Sequence, residues 1–98
     1  MVKSVTQVYV IPINTFSKSL KIVEKLRGNG LNVDIDLNNR NISKNLNYAN
    51  ALGIPYVLFI GEDELKKKKV KLRDMKTGKE QFLSVEKVVS FLKKEFSS

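Results

Sequence analysis

Two kinds of side chain that carry much of protein chemistry are missing from this sequence. Its 98 residues contain no cysteine and no histidine, which excludes disulfides, thiolate metal ligands, imidazole acid–base catalysis and histidine-based triads. Residues Met1 to Thr6 have no apolar core of signal-peptide type, and the run from Ile54 to Ile60 is far below the roughly 20 residues of a membrane-spanning helix. We therefore expect a cytoplasmic chain with no metal, cofactor or catalytic site of its own.

Acidic residues are also scarce relative to basic ones. Eighteen Lys and Arg against ten Asp and Glu give a net charge of +8 and a pI near 9.8. This balance favours a polyanionic partner such as RNA, DNA or an anionic membrane surface, and a role in solubility alone is the alternative. The apolar fraction of 42% is enough for one packed core, so we expect a single domain over residues 1–98 with frayed ends at 1–6 and 97–98.

The first half of the chain alternates between strand and helix patterns. "QVYVIPIN" and "LNVDIDL" read as strands, the second with Val33, Ile35 and Leu37 on one side. Each is followed by apolar residues at helical spacing, namely Phe16, Leu20, Val23 and Leu26, and then Ile42, Leu46, Ala49 and Leu52. Asn14 or Thr15 is expected to cap the first helix, and Gly28 and Gly30 to end it.

The second half predicts a buried strand, a hairpin and a helix. "PYVLFIG" has no polar face, which is typical of a central strand covered by helices on both sides. "KVKLRDM" alternates apolar and basic residues, and "KTGKEQFL" returns the chain through a glycine turn. Apolar residues then mark a last helix, capped by Ser84, at Val85, Val88, Val89, Leu92 and Phe96.

This order of elements predicts a three-layer α/β/α domain. Right-handed crossovers between the parallel strands place the second and third strands on either side of the first. The connections that flank the fourth strand are too short for crossovers, so that strand is antiparallel. We expect a five-stranded mixed sheet of order 2-1-3-4-5 with three main helices.

Polar loops follow the parallel strands at the edge where open α/β sheets bind their ligands. "NNRN" opens a helix amino terminus that favours phosphate, and it carries Arg40 with Lys44 one turn further on. The amides of Asn39, Asn41 and Asn45 both donate and accept, which suits the edges of unstacked bases. In "GEDE", the Glu64 carboxylate can accept from the amino and imino groups of a base. A polar loop that only caps a helix is the alternative.

The basic residues after "GEDE" fall into two groups. Period two places Lys71 and Arg73 on the strand face opposite the core, where they can bind a polyanion. Lys66 to Lys69 on their own are typical of a solvated turn, and we expect them to form a mobile electrostatic fringe.

Three further patterns are weak as sites. "GKE" at Gly78 has neither the earlier glycine nor the following Ser or Thr of a phosphate-binding P-loop. "GNG" at Gly28 to Gly30 follows a helix instead of a strand, which excludes a dinucleotide fingerprint. Asp34 and Asp36 share a strand face and could hold Mg²⁺, but no base or further ligand accompanies them. Asp36 more plainly caps the following loop or pairs with Arg40.

Taken in order, these segments resemble the carboxyl-terminal anticodon-binding domain of class IIa aminoacyl-tRNA synthetases, most closely the histidyl enzyme. The resemblance is carried by "GxxVDID", "R-x-I-x-K-x-L-x-Y-A", "GIPY", "GEDE", "VKLRD" and "TGKEQ", and it covers nearly the whole chain. The chain departs from related sequences at Asn45 and Asn47, where Gln and Lys are common, so a contact there is shorter or absent.

The resemblance implies recognition of a tRNA anticodon loop, most simply that of histidine tRNA with anticodon GUG. It implies RNA contacts at Asn39 to Asn41, Lys44, Glu64, Lys71 and Arg73. Charging of the tRNA, with ATP and Mg²⁺, would fall to a separate catalytic domain whose motifs are absent here, so the chain is an excised domain or a stand-alone relative. The parent enzymes are dimers, and we expect the isolated domain to be a monomer.

A protein-interaction module without tRNA selectivity is the rival interpretation. In that case the synthetase-like fold would serve an accessory or regulatory protein, and the sheet or the last helix would dock onto a partner. This interpretation predicts an exposed apolar strip on the last helix at Val89, Phe91 and Phe96. A small-ligand site at the switch in strand order is a third, weaker possibility.

Overall fold

The computed structural model describes residues 6–38 and 41–96, and within these ranges the chain forms five strands and four helices. The strands are β1 (Val8–Ile13), β2 (Val33–Ile35), β3 (Tyr56–Gly61), β4 (Val70–Asp74) and β5 (Glu80–Leu83). The helices are α1 (Phe16–Gly28), α2 (Ile42–Ala51), α3 (Glu62–Lys66) and α4 (Val85–Phe96). The three long helices were predicted, whereas α3 is a short helix in the segment that the sequence presented as the "GEDE" loop.

The strands form one mixed sheet of order β2-β1-β3-β4-β5, which confirms the predicted topology. β1 pairs in parallel with β2 and with β3, while β4 pairs antiparallel with β3 and with β5. Because β1, β2 and β3 run in the same direction, the loops after them lie at one edge of the sheet. α3 begins at that edge, so the "GEDE" segment and the amino-terminal ends of α1 and α2 lie at the same end of the domain.

Two hydrophobic clusters lie on opposite faces of the sheet. The larger one joins Val10, Leu58 and Leu72 to Val23 of α1 and Val88 of α4. The smaller one joins side chains of β1 and β3 to Ala49 of α2. The sheet is therefore covered by α1 and α4 on one face, whereas on the other face the described part of the chain places α2 over β1 and β3.

Local contacts fix the helix ends, partly in ways that the sequence did not predict. The Asn41 side chain accepts a hydrogen bond from Lys44 N at 2.8 Å, and the Ser84 hydroxyl accepts one from Lys87 N at 3.3 Å. Thr15 occupies the cap position of α1 without a capping bond. Its hydroxyl instead donates to the Ile60 carbonyl oxygen at 2.6 Å. Of the two glycines expected to end α1, Gly30 has a positive φ of 84° and Gly28 does not.

Four side chains predicted for the core are substantially exposed. The exposed fractions are 43% for Phe16, 38% for Leu20, 71% for Leu37 and 45% for Ile42. β2 ends at Ile35, so Leu37 has already left the sheet. Helical spacing identifies the apolar stripe of a helix but not how far the sheet beneath it extends, which explains the exposure at the first turns of α1 and α2.

The apolar residues of α4 pack inward. Val89 is buried, and the rings of Phe91 and Phe96 meet the Tyr56 ring edge to face at centroid distances of 5.7 and 5.8 Å. The exposed strip that the protein-interaction interpretation predicts is therefore not present on α4. Within the described ranges, no helix combines the length and the apolar character needed to cross a bilayer.

The position of Tyr56 leads to a prediction about alkaline pH. Burial, followed by the negative charges of Glu95 and Asp74, raises the pKa of the Tyr56 phenol to about 12. Since the phenol titrates near 10 in an unfolded chain, its protonated form stabilises the fold fully below pH ~10, and this contribution is lost as the pH rises towards ~12. The ultraviolet titration difference between wild type and Tyr56→Phe is expected to have its midpoint near 12. A midpoint near 10 would show that the buried environment does not act on this group.

Candidate nucleic-acid interface

The part of the sheet that α2 leaves uncovered forms a continuous polar surface on β4 and β5. Lys71 and Arg73 pair in register with Phe59 and Val57 of β3, whose side chains belong to the cluster under α2. On β5, Phe82 lies opposite Lys71 and Glu80 lies opposite Arg73. Glu64 of α3 lines a pocket with Phe82 and so adjoins these strands. We call this set the β4–β5 surface: Glu64, Lys71, Arg73, Glu80 and Phe82.

Glu80 holds the two cations of this surface in place. Its carboxylate contacts Arg73 Nη1 at 3.1 Å and Lys71 Nζ at 3.8 Å. The Lys71 ammonium also lies 4.7 Å from the centroid of the Phe59 ring. Arg73 Nε is shielded from solvent and has no acceptor among the described residues. Glu80 thus orients the guanidinium through Nη1, and because Nε is shielded, a further acceptor such as the edge of a base would be met by the terminal Nη groups.

Glu64 and Phe82 line a shallow pocket at the top of the same surface. The pocket encloses about 400 Å³ and is completed by Asp63, Lys67 and Lys69. The Glu64 carboxylate lies over Gly61, so close that a Cβ added to that glycine would be 2.8 Å from Glu64 Oε2. An acceptor, an aromatic face and two ammonium groups are the features that bind a nucleobase together with its phosphate.

The structure separates the residues of α2 from the β4–β5 surface. Asn41 lies beside the carboxyl end of β1, in a hollow with Ile13 and Asn14. Lys44 is exposed in the first turn of α2, and between described residues no ion pair joins it to β4 or β5. The predicted contacts Asn39 and Arg40 lie outside the described residues. Of the seven predicted RNA contacts, the structure brings together Glu64, Lys71 and Arg73.

Asn45 has a structural role instead of the base-reading role considered for it. It is completely buried. Its Oδ1 accepts from the Tyr9 hydroxyl at 2.8 Å, and its Nδ2 donates to Asp36 Oδ2 at 2.9 Å. The other Asp36 oxygen accepts from Asn38 N at 3.0 Å, which confirms Asp36 as the cap of the loop after β2. This network ties α2 to β1 and holds the start of the "NNRN" loop.

Asp34 and Asp36 do not act as a pair. Asp34 accepts from the Thr6 hydroxyl at 2.6 Å and is exposed, while Asp36 is buried beyond the end of β2. Between residues 6 and 38 and between 41 and 96, no group of three or more acidic side chains is placed to hold a metal ion. The magnesium alternative therefore has no support from the geometry.

The comparison with known families agrees with this geometry. The family model described as "Anticodon binding domain" matches residues 7–95. The chain belongs to the anticodon binding domain family. A histidine–tRNA ligase of Clostridium tetani is 40% identical over 91 residues, which cover 92% of this chain and 21% of that protein. The chain spans about a fifth of the length of the curated relatives it matches.

Solved structures match this anticodon binding domain closely. Histidyl-tRNA synthetase from Nostoc sp. PCC 7120 superposes with a TM-score of 0.90 at 26% identity, over 96% of this chain and 23% of that one. The RNA binding domain of threonyl-tRNA synthetase from Cryptosporidium parvum Iowa II gives a TM-score of 0.85 at 26% identity, over 93% of this chain and 24% of that one. The resemblance to the carboxyl-terminal domain of histidyl-tRNA synthetase is therefore confirmed.

Sequence reasoning missed the most exposed aromatic side chain of this anticodon binding domain. Phe82 is 57% exposed, although it is a large apolar side chain in a strand. The signal was present in "EQFL", because Leu83 packs against the larger core cluster and its neighbour must face the other way. Among the described elements α2 is the one helix on that second face, and it leaves Phe82 exposed.

Proposed function

We propose that this anticodon binding domain reads unpaired anticodon bases on the β4–β5 surface, and that its RNA is a histidine tRNA. The observation that carries the proposal is the contiguous set of Glu64, Phe82, Lys71 and Arg73 on the open half of the sheet. Glu64 accepts from amino or imino groups, Arg73 donates to carbonyl or ring nitrogen acceptors, and Phe82 stacks on a base. Lys71 supplies positive charge beside them.

The identity of the tRNA and the larger reaction belong to the same proposal. The 40% identity with a histidine–tRNA ligase supports histidine tRNA over other tRNAs. We expect charging with ATP and Mg²⁺ to be done by a separate catalytic domain, while the residues described here bind and orient the RNA. Four further RNA contacts remain predictions, for the part of the anticodon loop nearest to α2: Asn39, Arg40, Asn41 and Lys44.

Calorimetric titration with two RNA hairpins tests the function. One hairpin carries the anticodon stem and loop of histidine tRNA, and the other differs from it by one anticodon base. At fixed salt, the wild-type chain is expected to bind the cognate hairpin on the order of 5- to 150-fold more tightly, as loss of one base-edge contact implies. Equal affinity for both hairpins would reject base reading by this chain.

Phe82 provides a separate prediction, because the proposal is that its aromatic ring stacks on a base and not merely that it offers an apolar side chain. Phe82→Leu keeps an apolar side chain on β5 but removes the ring, so binding of the cognate hairpin should weaken by about 0.5–1.5 kcal/mol. The melting temperature should change little, since the side chain is more than half exposed. Gln81→Ala, on the opposite face of the same strand, is the matched control. Unchanged binding by Phe82→Leu would show that no base stacks there.

A further inference from the structure

A positively charged surface lies on the other face of the sheet, in the groove between α1, the start of α4 and the turn after α3. It encloses about 430 Å³ and has a floor of Ile22, Leu65 and Val85. We call this surface the lysine groove because five lysines line it, namely Lys18, Lys21, Lys25, Lys68 and Lys69. None of these residues is among the predicted RNA contacts.

The charge of the groove is largely uncompensated. Glu86 is its one acidic lining residue, and its carboxylate is bound by Lys25 Nζ at 2.8 Å. That ammonium lowers the pKa of Glu86, so the acid stays ionised and committed to Lys25. In the described ranges no ion pair involves any of the other four lysines. The groove therefore presents a local excess of positive charge to solvent.

Helix geometry gives this charge a defined direction. Lys18, Lys21 and Lys25 follow one another at spacings of three and four, which places them along one face of α1. Their Cα atoms span roughly 10 Å along the helix axis. A row of cations beside a shallow groove fits an extended polyanion better than a single small anion.

Backbone hydrogen bonds close the turn that completes the groove. Lys68 N donates to the Leu65 carbonyl oxygen at 2.9 Å, and Lys69 N donates to that of Glu64 at 2.8 Å. Lys68 has a φ of 57°, a conformation that is strained for a non-glycine residue and that at helix ends is usually taken by glycine. A lysine at this position is therefore less stable than a glycine would be, and it lines the groove.

Lys69 connects the groove to the proposed reading surface. It lines both the groove and the pocket formed by Glu64 and Phe82. A nucleic-acid strand whose base occupies that pocket can therefore pass over the sheet edge at Lys69 and continue between α1 and α4. The two surfaces form one path, with base recognition on one side and positive charge on the other.

We infer that the lysine groove binds the phosphate backbone of the same RNA, next to the bases read on the β4–β5 surface. This inference rests on the proposed function, but it assigns a different role to different residues. The groove contributes affinity that does not depend on sequence, because phosphates carry no base information. Its contribution decreases as salt rises, since each neutralised phosphate releases counterions.

The test compares Lys21→Ala/Lys68→Ala with the control Lys93→Ala/Lys94→Ala, whose lysines are exposed in the last turn of α4 and do not line the groove. The groove variant should bind the cognate hairpin about tenfold more weakly near 0.1 M salt, from Coulomb attraction across about 5 Å of water at each site. The slope of log affinity against log salt should fall in magnitude by about 0.7–0.9 per lysine removed. The ratio of cognate to mismatched affinity should stay the same.

Lys68→Gly is an independent test, because a purely structural role of Lys68 would not lower the affinity for RNA while leaving the melting temperature unchanged or raised. Glycine relieves the positive-φ conformation, so the melting temperature should stay the same or rise, while affinity for the RNA falls about fourfold. If the groove variant matches the control in affinity and salt slope, the groove does not bind this RNA, even when wild type discriminates between the hairpins. If wild type does not discriminate but the groove variant still loses affinity, base reading fails and the groove assignment stands.

Discussion

Arg73→Ala is expected to remove much of the preference for the cognate hairpin, by on the order of 1–3 kcal/mol, or about 5- to 150-fold. Glu80 holds the guanidinium through Nη1, and the terminal Nη groups carry further N–H donors. Loss of a base-edge contact leaves a buried polar group of the RNA unpaired, so the loss falls mainly on the cognate sequence. Arg73→Lys should behave similarly, because an ammonium cannot reproduce the planar fork of a guanidinium. Titrations with both hairpins at one salt concentration measure the effect.

Lys66→Ala is the control for this prediction. Lys66 is exposed in α3 and lines neither the lysine groove nor the pocket beside Phe82. Its removal should weaken binding of both hairpins modestly and by the same factor. The fold should survive Arg73→Ala, because its ion pair with Glu80 is about a third exposed and such pairs contribute little to stability. Equal losses on the two hairpins from Arg73→Ala would assign Arg73 to phosphate contact alone.

Asn45→Ala is expected to lower the free energy of unfolding by about 2–4 kcal/mol. The substitution removes the hydrogen bonds that Asn45 makes to the Tyr9 hydroxyl and to the Asp36 carboxyl group inside the protein. Burying polar groups without these partners costs more than the bonds themselves contribute. For a domain of this size the melting temperature should fall by about 10–25 °C. Denaturant titration followed by circular dichroism measures the change in stability.

Asn47→Ala is the matched control for Asn45→Ala, because Asn47 is exposed on the same helix. There the change should be neutral or slightly stabilising, since alanine is the better helix former. A similar loss at both positions would attribute the effect to α2 in general and contradict the buried network. Asn45→Asp is expected to be destabilising as well, because it places a second carboxyl group against Asp36.

The sequence predicts much of the fold because its elements are strongly periodic. The sheet order follows from two helical crossovers and two short connections, and "PYVLFIG" is the fully covered strand that its composition indicates. Predictions failed where the extent of a neighbouring element decides exposure. Phe16 and Leu37 have core-like positions in their own segments, but no element within residues 6–38 and 41–96 covers them.

The candidate site was predictable only in part, for a related reason. Alternation in "VKLRD" places Lys71 and Arg73 on one face, and the structure confirms that placement. Pattern alone does not show that Asn45 points into the protein while Phe82 points out of it. Both depend on the limited reach of α2, which buries the amide against Tyr9 and leaves β5 uncovered.

The limited reach of α2 also bears on how the specificity of such a domain can change. Three of the four residues of β5 are exposed, and only Leu83 contributes to the packed interior. Substitutions at Glu80 and Phe82 therefore leave the interior intact, and surface changes of this kind usually alter stability by less than ~0.5 kcal/mol. Randomising these two positions should yield mostly folded variants, from which domains with a new anticodon preference can be selected.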